Sequence, residues 1–148
     1  MSAYADSGLL ALLYLEESTS AAATATVTGQ SNKIMISWLT KLEVENAFLR
    51  AAFRNKITQV AANLLIAQFK DNIGTDGYEH VTPGPEALYI ESTRLAEFHT
   101  TTLGVRTLDL LHVATAVMFR VTDFLSFDHR QRDVAKALGL NVLPIITP

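Results

Sequence analysis

The sequence contains no cysteine. Disulfides, thiolate zinc sites, iron–sulfur ligation and cysteine nucleophiles are excluded together, so any metal must sit on oxygen or imidazole. A membrane-length apolar run is also missing. The longest, Leu110 to Phe119, contains His112 and stops at Arg120, well short of the ~20 residues a span needs. No basic region, clean apolar stretch and small-residue cleavage site open the chain; Leu9 to Leu15 comes directly after Asp6. The expected localisation is cytoplasmic. Charge is scarce, at 18% of residues with a formal net charge of −3. A nucleic-acid ligand must therefore use local basic patches rather than a global positive field.

What is present is apolar. At 49% hydrophobic over 148 residues, the chain can bury one core and leave surface for a partner, which predicts a single domain over 1–148 and some form of oligomer. Five short segments read as strands: Ser2–Ala5, Lys33–Ser37, Tyr78–Thr82, Asp123–Phe127 and Asn141–Ile145. Helical patterns lie between them at Ser7–Leu15, Ser20–Thr28, Thr40–Arg54, Thr58–Asn72, Pro85–Leu103, Thr107–Arg120 and Arg130–Leu138, with Gly139 as a stop for the last. Alternating strands and helices predict a parallel sheet covered on both faces, an α/β fold. Asn72–Gly77 is the most loop-like stretch, and Pro83–Pro85 makes a second break. Neither reads as a domain boundary.

Ligands of open α/β sheets bind at the carboxyl ends of the strands, which makes the position of acids informative. Asp6 follows the first predicted strand and Asp128 the fourth; Glu43 lies near the start of the helix after the second strand, and Asp109 near the start of the helix before the fourth. Each has an ordinary reading. Thr40 and Glu43 have capping-box spacing, Asp109 suits a helix N-terminus, and Asp6 and Asp128 suit turns. Glu45 competes with Glu43, yet at about 100° per residue the two point about 160° apart and cannot share one pocket. The apolar stripe Leu39, Leu42, Leu49, Phe53 lies between them and does not choose. Arg50 and Arg54 fall on the Glu43 side, as cations beside that acid or as part of a solvated face. His112 can hydrogen-bond an acid or RNA, and the preferred reading is a satisfied packing residue.

These residues carry a resemblance. YADSGLLALLYLEE, SWLTKLE, RTLDLLHVATA and SFDHRQRDVAKALGLNVLP, in this order, resemble the PIN-domain ribonucleases, and among them are most similar to VapC toxins of toxin–antitoxin pairs. The resemblance implies a PIN-like three-layer α/β/α fold with a central parallel sheet of about five strands. It implies a metal-dependent endoribonuclease whose acids are Asp6, Glu43, Asp109 and Asp128, and it selects Glu43 over Glu45. Ser7 and Ser126 match hydroxyl positions beside the site; the family more often has Thr where Ser126 stands. A homodimer and a small antitoxin are the implied partners, besides RNA.

An oxygen-only donor set independently favours a hard ion, Mg²⁺ or Mn²⁺, one or two in number, which activates water and stabilises the attacking and leaving oxygens. Arg106 either neutralises the acids, contacts phosphate or is an ordinary surface residue. Arg50, Arg54 and Arg130, with Lys56 and Arg132, are candidate phosphate contacts. The alternative is a catalytically inactive PIN-like module that binds RNA or regulates. A phosphoacceptor domain would need adjacent acids after the first strand, and a haloacid-dehalogenase-type phosphatase a D-x-D there; the sequence has DSG.

Overall fold

The computed structural model describes residues 1–75 and 77–147. Its elements are β1 (Ala3–Ala5), α1 (Ser7–Ala11), α2 (Ser20–Thr28), β2 (Ile34–Ile36), α3 (Trp38–Phe53), α4 (Gln59–Gly74), β3 (Tyr78–His80), α5 (Pro85–Leu103), α6 (Thr107–Met118), β4 (Asp123–Leu125), α7 (His129–Ala137) and β5 (Asn141–Leu143). All five strands run parallel, in the order β3-β2-β1-β4-β5. The expected α/β sheet is present.

Side-chain alternation along the strands assigns the two faces. Ala3, Ala5, Ile34, Ile36 and Leu125 pack with Leu9, Leu10, Val44, Phe48, Ala62 and Phe69 of α1, α3 and α4. Tyr4, Phe124 and Val142 point the other way, into Leu88, Leu95, Leu110, Val113 and Val134 of α5, α6 and α7. Helices therefore cover both faces in a three-layer α/β/α arrangement, and β1 is buried on each side. Gly139 adopts φ +82° just after α7, the left-handed conformation that closes a helix and that glycine takes without a Cβ clash.

Several boundaries differ from the sequence reading. α3 starts at Trp38, because Ser37 directly after β2 is itself a strong N-cap: its Oγ accepts from Thr40 N–H while Thr40 Oγ1 accepts from Ser37 N–H. Thr40 is thus a partner within the cap rather than the cap, and Glu43 lies beyond the first turn and outside the capping box. Of the stripe Leu39, Leu42, Leu49, Phe53, only Leu39 is buried. Leu42 and Phe53 are 57% and 87% exposed, and the sheet takes the row Val44, Phe48, Ala51. Helix α1 gives way to turns after Ala11, and α4 continues through Gly74 into the expected loop, whose Asp76 lies outside the described residues. Among the described residues no helix is long and apolar enough to cross a membrane.

Candidate functional site

Consecutive connections run from β1 outward to β2 and β3, then return to β4 and β5 on the opposite side of β1. The order reverses between β1 and β4. At such a switch point the chains leaving the two strands diverge to opposite faces and open a crevice beyond their carboxyl ends. Asp6 and Ser126 are the first residues past these neighbouring strands, joined by a backbone bond from Asp6 N–H to Leu125 O of 3.0 Å. Glu43 enters from α3 and Asp109 from the first turn of α6. Asp128 caps α7, accepting from the Arg130 and Gln131 amides at 2.9 and 3.1 Å.

Hydrogen bonds link Asp6, Asp128 and Asp109, while Glu43 is held separately by Ser7 and His112. Ser126 Oγ donates to Asp6 Oδ2 at 2.6 Å and accepts from the Asp128 amide at 3.0 Å. Asp6 Oδ1 caps α1 through the Leu9 amide at 2.8 Å. Beside it, Ser7 Oγ donates to Glu43 Oε2 at 3.2 Å. His112 Nε2 lies 2.7 Å from the other Glu43 oxygen. Arg106 bridges the outer pair, with Nε 3.0 Å from Asp109 Oδ2 and a terminal nitrogen 3.4 Å from Asp128 Oδ2. Gln131 Nε2 donates to Asp109 Oδ1 at 3.1 Å. Every one of the eight carboxylate oxygens thus has a protein donor.

Burial sets the electrostatics. Asp6 is only 2% exposed. Desolvation pushes its carboxyl above the ordinary range, against the pull of His112, Ser126 and the Leu9 amide, and Asp128 adds to the rise. Burial likewise pushes the Tyr4 phenol up, opposed by hydrogen bonds from Ser37 and Thr40. The exposed Arg106 guanidinium is held more firmly protonated by its hydrogen bond and charge attraction to Asp109.

The donor set fits a hard divalent ion in kind: carboxylates without thiolates. Six of the eight oxygens accept only once and retain a second lone pair for such an ion; Asp109 Oδ2 and Asp128 Oδ1 each accept twice. Gln131 adds a buried amide oxygen with no hydrogen-bond partner, an acceptor suited to a water of a hydrated ion. Among the described residues, however, no three acidic or imidazole side chains already stand at the spacing of a metal cage. Each carboxylate is satisfied by its own donors instead.

Solved structures give this arrangement its context. VapC20 of Mycobacterium tuberculosis, a toxin that cleaves the sarcin–ricin loop, matches at TM-score 0.62 and 17% identity over 92% of this chain and 95% of its own. VapBC2 from Rickettsia felis, bound to a DNA fragment from their promoter, matches at TM-score 0.66 and 10% identity over 97% and 98%. The chain has the PIN-like fold of the VapC-type toxins. FitAcB from Neisseria gonorrhoeae shares it, at TM-score 0.62 and 10% identity over 96% of each chain. No family model and no curated protein sequence matches the chain.

Within this site both ring nitrogens of His112 have polar partners, the Tyr4 hydroxyl and a Glu43 oxygen. Tyr4 and Gln131 were not legible as site residues. Tyr4 sits in a strand where an aromatic is ordinary, and Gln131 carries no motif; only its position three residues after Asp128 places it on the first turn of α7. Glu45 faces α4, with Lys70 4.0 Å away, on the other side of α3 from the site. Arg132 is not a phosphate contact: it is buried, donating to the Ser126 and Pro144 carbonyls at 2.7 and 2.9 Å and tying the ends of β4 and β5 together. Lys56 pairs with Glu17 at 3.7 Å. Arg50 and Arg54 are exposed. Arg50 lines a groove of about 190 Å³ that also holds Ser7, Gly8 and Glu43, and an adjoining groove over Gly8 and Ala47 reaches Arg54. Arg130 is half-buried at the start of α7.

Proposed function

We propose that the chain is a Mg²⁺- or Mn²⁺-dependent endoribonuclease and the toxin of a toxin–antitoxin pair, with one or two ions held by Asp6, Glu43, Asp109 and Asp128. The observation that carries this reading is the gathering of four acids from four separate elements at the switch point of the sheet, three joined through hydrogen bonds and Glu43 held by Ser7, the chain neighbour of Asp6. A hard divalent ion supplies activation of water near neutral pH and charge neutralisation on phosphate. The protein's part is to hold the carboxylates against their mutual repulsion. Ser126 orients Asp6, Ser7 and His112 orient Glu43, and Gln131 orients Asp109. Arg106 offsets the charge of Asp109 and Asp128. Arg50, Arg54 and Arg130 supply phosphate contacts, with the small floor of Gly8 and Ala47 admitting a single RNA strand beside Glu43.

The structural neighbours support the toxin reading, VapC20 as an RNA-cleaving toxin and VapBC2 as an assembly with a promoter DNA fragment. Apolar surface on α3 and α4 supports a partner: Trp38, Leu42, Leu49 and Phe53 with Val60 and Leu64 are all exposed. A homodimer or a small antitoxin is the proposed occupant. The decisive experiment is RNA cleavage by the purified chain in Mn²⁺ and in excess EDTA, with analysis of product ends. Cleavage only with the ion, leaving 3′-hydroxyl and 5′-phosphate ends, supports the proposal. Equal cleavage in EDTA overturns it. RNA binding with no cleavage under any ion establishes the inactive module instead.

A further inference from the structure

Tyr4 lies at the centre of the sheet and is fully buried, its ring stacked against Phe124 with centroids 6.0 Å apart. Its hydroxyl has three polar neighbours: Ser37 Oγ at 3.0 Å, Thr40 Oγ1 at 3.0 Å and His112 Nδ1 at 2.9 Å. The opposite nitrogen of His112 lies against Glu43.

Proton counting gives this cluster a direction. Ser37 Oγ and Thr40 Oγ1 already accept from each other's backbone amides in the cap of α3, so each has its own proton left to donate. The phenol oxygen can accept both, which fills its two acceptor sites. Its single proton then goes to His112 Nδ1. A carboxylate only accepts, so the nitrogen facing Glu43 carries a proton, and the nitrogen facing the phenol is left to accept.

We infer that Tyr4 and His112 are positioning residues for Glu43, linked in a one-way hydrogen-bond chain from the α3 cap through the phenol and imidazole to the carboxylate. The chain ties the start of α3 to a side chain further along the same helix by way of β1 and α6. Burial removes competing water from it, so loss of one link is not repaired by solvent. The role of Glu43 as an ion ligand rests on the proposed function; the direction of the chain does not.

Two measurements on the metal-free protein test it. With ¹⁵N-labelled histidine at pH 8, His112 is expected to show one protonated nitrogen, Nε2, and one bare nitrogen, Nδ1. A proton on Nδ1, alone or together with Nε2, overturns the inference. Tyr4→Phe keeps the stacked ring and removes the donor; it should shift both nitrogens toward values averaged over the two tautomers. In calorimetry with Mn²⁺ and no RNA, the same variant should bind about tenfold more weakly, the size of effect expected from loss of a partner behind a metal ligand. It should cause no further weakening when combined with Glu43→Gln. Unchanged nitrogen shifts and Mn²⁺ affinity in Tyr4→Phe overturn the positioning role. If Tyr4→Phe does not fold, Thr40→Val removes one donor to the phenol, and the wild-type spectrum alone still decides the direction. If the wild type binds no Mn²⁺, the proposed function fails while the nitrogen spectrum still judges the chain.

Discussion

The two halves of the carboxylate set differ in whether an arginine reaches them. Asp6 and Glu43 are gripped without lysine or arginine, by a serine each, a backbone amide and an imidazole backed by a buried phenol. Asp109 and Asp128 have neutral donors too, Gln131 and two backbone amides, but in addition share an arginine whose side chain is 65% exposed. Such neutral donors fix geometry while leaving the negative charge uncancelled, and at the buried Asp6 the raised carboxyl registers that cost. An exposed guanidinium cancels charge but is screened and easily displaced. The inner half is therefore built to be rigid and unsatisfied electrostatically. The outer half already holds a cation that an ion can replace.

Breaking the inner half should have the largest effect. Glu43→Gln is expected to reduce ion-dependent RNA cleavage by more than about 100-fold, since a ligand matters more than the groups behind it. Glu45→Gln, on the α4 side of α3, should leave most of the activity. Parallel cleavage assays check the pair, and a dead Glu45 variant beside an active Glu43 variant would show that the site lies elsewhere.

Asp6→Asn separates rigidity from charge. Asn keeps the oxygen that caps Leu9 and turns an amide toward Ser126, while the buried charge disappears. Because the folded-state value of Asp6 is raised, the folded protein holds this proton more tightly than the unfolded chain. Its contribution is fully favourable below about pH 4 and is lost as pH rises through the raised value. The metal-free variant should therefore match wild type near pH 4 and melt higher at pH 7, by about 2–4 °C for each kcal/mol recovered. Ion binding reverses the order: at ~100 times its dissociation constant an ion adds about 2.7 kcal/mol to the protein that binds it. Melting curves in EDTA and in Mn²⁺ at both pH values check each half. A variant that melts lower in EDTA at pH 7 would make Asp6 a plain capping residue.

For the outer half, Arg106→Gln should tighten Mn²⁺ binding roughly threefold, a small effect as befits an exposed cation. Calorimetry without RNA reads it directly, and weaker binding would mean that Arg106 organises the acids instead of competing with the ion. The smallest change is expected outside both halves. Arg54→Gln should lessen the salt dependence of RNA affinity by about 0.7 in the log–log slope, one phosphate contact on a single strand. An unchanged slope would place Arg54 in solvent.

Order of elements, parallel pairing and two covered faces were all legible in the sequence, because strand and helix periodicities are local and crossover connections dictate parallel strands. The four acids were legible because strand ends and helix starts fall at recognisable places in a chain that alternates this way. Choosing between two apolar rows on α3 was not. Both rows have helical spacing, and only the sheet and α4 decide that Val44, Phe48 and Ala51 turn inward while Leu42 and Phe53 stay in water. Ser37 displaced Thr40 as the cap of α3 because β2 ends immediately before it. His112, Tyr4 and Gln131 lie 69, 39 and 88 residues from Glu43 in sequence, and no periodicity relates them to it. The sequence by itself determined which chemical groups the protein possesses and near which ends they emerge. The reversal of strand order between β1 and β4 decided which of them meet, since hydrogen bonds of 3 Å between distant segments exist only once the sheet has placed their elements side by side.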